Sequence, residues 1–426
     1  MIAFLAKGII RDKTRSLFPI LIVSLMVTLI IFFKGFMLGV MNSVINDTAI
    51  ISTGYLKVTT KAYDDEKQLL PNDLALLDIE LLINNLNEEF PEYFWTPRIT
   101  FAGLLDVPNM EGETLKQGPT IALGIDLFSK NSRQIEMWDL KNKLRSGRLP
   151  SKPNEVLFST KLADRLSVEP GMNITFIGAT MHGAFGTYNV NLVGTFSLEM
   201  GPVDKDMMLL DISGAQIALD MENAASEVLG FTHELQYKDD ESISIRENYN
   251  NLQNSEDIFS PFMLALRDSY QMGAMLDLQN AAMAVILTIF LLVVTIVLWN
   301  IGLMNGLRRY GEIGMRLAIG ESKGGVYRSM VIESVIIGLI GTFLGTSLGL
   351  AITYYMQEYG IDYSKGLENL TSTNIVISNV FYAQITPDLY YIGFIPGVLA
   401  TVFGTMLAGR AIYKREMAQL FKELET

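Results

Sequence analysis

The sequence predicts an α-helical membrane protein with four transmembrane helices and a large mixed α/β extracytoplasmic domain inserted between the first and second. Three observations carry that prediction. The 426-residue chain is 49% hydrophobic yet 19% charged, with a mean hydropathy of +0.28, so apolar and charged residues must be segregated along it. Four windows, Leu17 to Met41, Ala281 to Leu307, Met330 to Met356 and Leu389 to Ile412, are nearly free of charge. Each is long enough to cross a hydrocarbon core of about 30 Å, which takes roughly 20 helical residues. Between the first two windows lies a polar stretch of about 235 residues, enough for one large domain or two small ones.

The basic residues set the orientation. Lys7, Arg11, Lys13 and Arg15 precede the first window, Arg308, Arg309, Arg316, Lys323 and Arg328 separate the second and third, and Arg410, Lys414, Arg415 and Lys422 follow the fourth. The positive-inside rule puts both termini and that connection in the cytoplasm. The third-to-fourth connection holds Glu358, Asp362, Glu368 and Asp388 against Lys365 and falls outside, as the helix count requires. In order, the chain reads as a cytoplasmic amphipathic segment (1–16), a first transmembrane helix with its stalk (17–51), the extracytoplasmic domain (52–270), and a second stalk and helix (271–307). A cytoplasmic coupling helix (308–328), third helix (329–356), outer loop (357–388), fourth helix (389–412) and cytoplasmic tail (413–426) complete it. The first window is too long for a cleaved secretory signal and reads as an uncleaved signal-anchor.

Composition excludes several classes of function. The net charge of −13 resides mostly in the outer portions, which argues against nucleic acid as a partner. Without cysteine, and with only His182 and His233, the chain has neither disulfides nor a thiolate metal site, and no metal is expected. The clusters Asp64-Asp65-Glu66 and Asp239-Asp240-Glu241 lack the alternating pattern of a calcium loop and read as solvated surface. Gly320-Glu321-Ser322-Lys323-Gly324 satisfies G-x-S-x-G, but no strand precedes it and both histidines lie across the membrane. Gly320 and Gly325 have phosphate-loop spacing, yet Val326 and Tyr327 stand where Lys and Ser/Thr must be. No catalytic residue and no nucleotide site is expected in this chain.

The inserted domain is mixed. Tyr55–Thr59, Thr120–Ile125, Asn173–Ile177, Val190–Phe196, Met207–Leu210 and Glu234–Tyr237 read as strands. Asn72, Thr160 and Ser213 read as caps of helices carrying Leu74 to Ile83, Leu162 to Leu166 and Ala215 to Met221. Helical periodicity continues past the first window to about Ile51, and begins before the second at Met272, Met275 and Leu276, which predicts a pair of stalks.

The segment 308–320 is the most informative. As a helix it puts Arg309, Glu312 and Arg316 on one face and Ile313, Leu317 and Gly320 on another, the shape of a short docking helix held between two spans. Within the spans, Gly341, Gly345 and Gly349 form one small-residue ridge and Gly35 with Gly39 another, for packing inside the bundle or against a second membrane subunit. Lys34, in the outer half of the first span, snorkels, pairs within the bundle, or meets an anionic or amphipathic substrate. Phe33, Phe36, Met37, Val40, Met283 and Ile286 give apolar stripes for packing and lipid contact, or for a lateral acyl-chain cavity.

With those residues in view, the chain resembles permeases of the MacB/FtsX type of ABC transporter, and among them the lipoprotein-releasing LolC/LolE type. The resemblance rests on Glu312-Ile313-Gly314 with Arg316 and Gly320, on Glu333-Ser334 with Gly338, Gly341 and Gly345, and on three pieces of the outer domain. Those pieces are Gly147-Arg148-Leu149-Pro150 with Glu155-Val156, Leu162-Ala163 with Leu166 and Gly171, and Val193-Gly194-Thr195-Phe196. The resemblance implies a bacterial inner-membrane location, a MacB-like periplasmic core, a second permease, identical or homologous, and two copies of a separate ATPase that binds ATP and Mg. It implies lipoprotein cargo whose acyl chains enter between the first and second spans, beside membrane lipid. In one relative a hook loop recruits a periplasmic carrier; the matching position here is Gly178 to Tyr188, with Met181, His182, Phe185 and Tyr188 as candidates, and it lacks that hook's prolines. An FtsX-like mechanotransmission scaffold acting on an extracytoplasmic partner and a MacB-like peptide or drug efflux permease are the alternative functions.

Overall fold

The computed structural model describes residues 13–109, 111–198, 205–253, 257–269, 272–307, 310–362 and 380–414. The first twelve residues, Arg308 and Arg309, most of the outer loop (363–379) and the tail from 415 lie outside the described residues. The chain divides into a membrane unit, built from residues up to Met41 with Leu278–Asp362 and Val380 onward, and an inserted unit over Asn42–Asp277.

In the membrane unit, four helices among the described residues are long and apolar enough to cross a membrane. They are a first span in the helix Lys13–Thr48, a second in Met272–Leu307, a third in Lys323–Tyr359, and a fourth that starts with turns at Pro387–Tyr390 and ends in the helix Thr401–Lys414. The elbow helix Tyr310–Ala318 joins the second and third. Lipid offers no hydrophobic drive between helices, so close backbone approach has to hold them. The third-span ridge supplies it: a methyl group added at Gly341, Gly345 or Gly349 would stand 2.7 Å from Val23 Cβ, 2.5 Å from the Ser24 carbonyl oxygen and 2.9 Å from Ile31 Cβ. Thr28 Oγ1 also donates to the Gly345 carbonyl at 3.1 Å. On the first span, Gly35 lies against Thr353 and Gly39 against the Tyr382 carbonyl. Both ridges are thus occupied within this unit.

The inserted unit is built on one mixed sheet. Its strands are β1 (Leu56–Thr60), β2 (Tyr93–Pro108), β3 (Thr114–Ile125), β4 (Leu144–Gly147), β5 (Glu155–Ser159), β6 (Asn173–Ala179), β7 (Phe185–Phe196), β8 (Met207–Asp211), β9 (Glu227–Thr232) and β10 (Pro261–Ala265). The order is β10-β1-β9-β2-β3-β8-β5-β7-β4, with β6 pairing β2 and β7. The β3–β8 and β5–β7 pairs are parallel and the others antiparallel. Helices α1 (Ile79–Glu89), α2 (Thr160–Leu166), α3 (Ile212–Leu219) and α4 (Asp239–Leu252) accompany it. Strands β5 and β8 are buried at every position, which is why they read as continuous apolar runs rather than alternating ones. Two separated sequence motifs turn out to be one contact: Gly147 faces Gly194 across the β4–β7 ladder, where neither has room for a side chain. Beside it Arg148 grips Glu155 with two hydrogen bonds of 2.7 and 2.5 Å. Those bonds, with help from Ser151 and against the effect of burial, hold the Glu155 carboxyl down at about 2.

Several local expectations are corrected. Glu234–Tyr237 is a turn rather than a strand, because Leu235 takes a left-handed conformation (φ 52°) that ends the β9 ladder at Thr232. Asn72 caps no long helix: it is buried, donates to the Thr100 carbonyl and accepts from Ser226, and the helix starts later, at Ile79. The caps of α2 and α3 are Ser159 and Asp211, whose side chains accept from the Leu162 and Ser213 amides, so each helix begins just before the residue the pattern suggests. The acidic clusters are tethered: Asp64 pairs with Lys57 and Lys67, and Asp239 with Arg267.

Replacing Gly345 with valine should force the first and third spans apart and cost about 1–3 kcal/mol. The thermal midpoint of the detergent-solubilised chain should fall, while Leu344→Val, at a side chain 44% exposed, should leave it within error.

Candidate functional site: elbow, first span and stalk ends

The elbow is amphipathic, and the structure settles which face is which. Ile313 and Leu317 are 2% and 6% exposed and pack on Val326 and Met330 at the start of the third span. They form the elbow's own core, not its outer surface. Arg316 reaches Glu321 through two hydrogen bonds of 2.7 Å and Ser329 Oγ through one of 3.0 Å, locking the turn that follows. Gly320 makes that turn with φ +98°, a conformation that side-chain-bearing residues rarely adopt, and Ser322 caps the third span by accepting from the Gly325 amide. Glu312 is half-buried, and Arg309 lies outside the described residues. The apolar side chains turned outward are Met315, 60% exposed, and Ile319, 82% exposed. Sequence reasoning missed both, although a helix whose Ile313 and Leu317 face one way must turn Met315 and Ile319 away from that face.

In the first span Lys34 forms an ion pair with Asp388 at the start of the fourth, so of its three readings the structure shows pairing within the bundle. Phe33 meets Phe290 of the second span with ring centroids 4.7 Å apart, and Phe32 stacks on Phe36 at 6.0 Å. Phe36, Met37, Val40 and Met283 are half-buried and Ile286 is exposed. Phe290 was absent from the sequence-derived set; it continues the stripe of Met283 and Ile286 at helical spacing.

In the inserted unit the first-span helix ends in a wider turn, Ala49–Thr53, and leads through Gly54 and Tyr55 into β1. Asn46 donates to the Leu235 carbonyl at 3.0 Å and accepts from Tyr55 Oη at 2.6 Å. Arg98 on β2, 2% exposed, donates to the carbonyls of Ile51 and Ile50 at 2.8 and 2.6 Å and lies over the Trp138 ring at 5.8 Å. Burial lowers its pKa to about 10, with Glu227 opposing, so the guanidinium stays charged at neutral pH. Lys57 is also buried; burial works against its charge, but Glu227 and Asp64, at 3.0 and 3.1 Å, raise its pKa above the ordinary value. The second stalk begins at Met272, in the domain core, where Arg267 pairs with Asp277 at 2.7 Å.

At the tip of the β6–β7 hairpin, Phe185 is 87% exposed, His182 stands 3.6 Å from Asp220, and Tyr188 is half-buried. Met181 and His182 line a cavity of about 510 Å³ with Leu70, Asn72, Asp73 and Phe101.

Four helices long and apolar enough to span, with a large domain inserted after the first, define a multi-pass membrane protein. Residues 284–417 match the FtsX-like permease C-terminal family. The lipoprotein-releasing system transmembrane protein LolC of Xylella fastidiosa (strain Temecula1) is 22% identical over 315 residues, covering 70% of this chain and 68% of that protein. The macrolide export ATP-binding/permease protein MacB 1 of Yersinia pestis is 32% identical over 137 residues, 29% of this chain and 21% of that protein. The periplasmic region of MacB from Actinobacillus actinomycetemcomitans superposes with a TM-score of 0.36 at 14% identity, covering 54% of this chain and 97% of that one. Residues 284–417 thus match an FtsX-like permease domain, in a chain similar to LolC along most of its length and to MacB over part of it.

Substituting aspartate at both Met315 and Ile319, which are already exposed, should leave the thermal midpoint of the solubilised chain within error. Leu317→Asp should instead bury a charge in the elbow core and destabilise it by more than about 3 kcal/mol, visible as faster amide exchange over 310–330.

Proposed function

We propose that this chain is the non-catalytic membrane subunit through which a separate ABC ATPase, itself holding ATP and Mg, moves the inserted domain to extract lipoproteins from the bacterial inner membrane for outer-membrane delivery. The observation that carries the coupling half of this reading is the elbow. Its inner face is locked to the third span while Met315 and Ile319 are displayed, so a partner pressing on those side chains displaces a span rather than bending a loop. Likeness to LolC along 70% of the chain supports the lipoprotein half. Two permeases, identical or homologous, and two ATPase chains make the working unit, with both termini cytoplasmic and the inserted domain periplasmic.

Cargo acyl chains enter from lipid beside Phe33, Phe36 and Met37 on the first span and Met283, Ile286 and Phe290 on the second. The partly buried aromatic contact between Phe33 and Phe290 supports that assignment, since two rings separate more readily than a glycine-packed backbone contact. The Phe185 hairpin is the proposed contact for a soluble carrier. The stronger identity to MacB 1 over 137 residues favours one second reading, export of a peptide or drug, with the same elbow and stalks at work.

Photo-crosslinking residues placed at Phe33 and Phe36 in cells should capture acylated proteins. Capture of small peptides alone would favour export. No cargo at these positions, with capture elsewhere on the chain, would remove the cavity.

A further inference from the structure

We infer that Arg98 is the positioning residue that ties the end of the first stalk to the inserted sheet, making that stalk the stiff one of the pair. The inference rests on the motor-driven reading above only for its purpose; the clasp itself stands on geometry. A helix ends with up to four carbonyls lacking intrahelical donors, usually satisfied by water or a capping turn. Here the carbonyls of Ile50 and Ile51 are satisfied in trans, by a guanidinium carried on the long strand β2.

The arginine has few other ways to offset its burial. Glu227 lies directly across the ladder from Arg98, but it is ion-paired to Lys57 at 3.0 Å. The guanidinium therefore depends on the stalk carbonyls and the negative end of that helix. Drawing the stalk away from the sheet would strand a buried cation and two buried carbonyls at once. Apolar packing alone would let the stalk slide; directional hydrogen bonds to a rigid strand do not. Among the described residues the second stalk shows no equivalent: its Arg267–Asp277 pair involves a carboxylate side chain 70% exposed, and such pairs hold weakly. Displacement entering through the first stalk thus reaches β2 directly, while the second stalk yields.

The native sequence has no cysteine, so spin labels at Ser43→Cys on the stalk and Lys161→Cys on α2 of the full-length chain report this link by pulsed electron resonance. The parent, R98K and R267M should each give a single narrow distance distribution, and R98M should lose it. Amide protection across β5 and β7 should stay at the parent level in all four. A narrow distribution in R98M overturns the inference, as does loss of β5 and β7 protection in both R98M and R98K, which would make Arg98 a folding residue only. ATPase co-purification is read in the same preparations. An intact clasp without an ATPase sinks the permease reading alone, and a bound ATPase with a narrow R98M distribution sinks the clasp alone.

Discussion

The close approach of the first and third spans is the constraint on which the rest depends. Glycines at 341, 345 and 349 let Val23, Ser24 and Ile31 sit almost on the third-span backbone. Contact at that distance is stiff, because side chains that elsewhere absorb motion by changing rotamer are missing on one side. The elbow is fastened to the same third span through Ile313, Leu317, Val326 and Met330. The elbow and the first span are thus both packed closely against the third. The first-span helix runs unbroken from Lys13 to Thr48, and its following residues enter β1 of the inserted sheet.

Paired charge does a different job in each unit. In the membrane unit, Lys34 and Asp388 neutralise each other between the first and fourth spans, so a residue that invites a substrate role in the sequence is engaged in holding helices together. In the inserted unit, Lys57 is balanced by two carboxylates, whereas Arg98 is balanced largely by carbonyls at a helix end. The first arrangement specifies how strands pair; the second fixes where a helix from the membrane must stop.

What was legible in the sequence follows from period and length. Four long apolar windows stand out by length and composition, and buried strands such as β5 and β8 announce themselves as short apolar runs. The elbow's amphipathicity was equally plain, but its polarity was not: periodicity finds two faces without telling which one packs inward. That choice is made by Val326 and Met330, several residues downstream, through a turn at Gly320. The caps shifted because Ser159 and Asp211, each at the end of a strand, also serve as the first residue of the next helix. Pairing was among the readings open for Lys34, but its partner, like the role of Arg98, was beyond reach: Asp388 and the Ile50 and Ile51 carbonyls are brought to them only by the tertiary fold.

Native mass spectrometry of the complex, gently solubilised through a tag on this chain, tests most directly whether it works as a motor-driven permease for acylated cargo. The expected species contains two permeases and two ATPase chains, with a lipoprotein bound in a fraction of particles and released on addition of ATP and Mg. A chain that flies alone or with partners that bind no nucleotide, from preparations in which known membrane complexes survive, would contradict it.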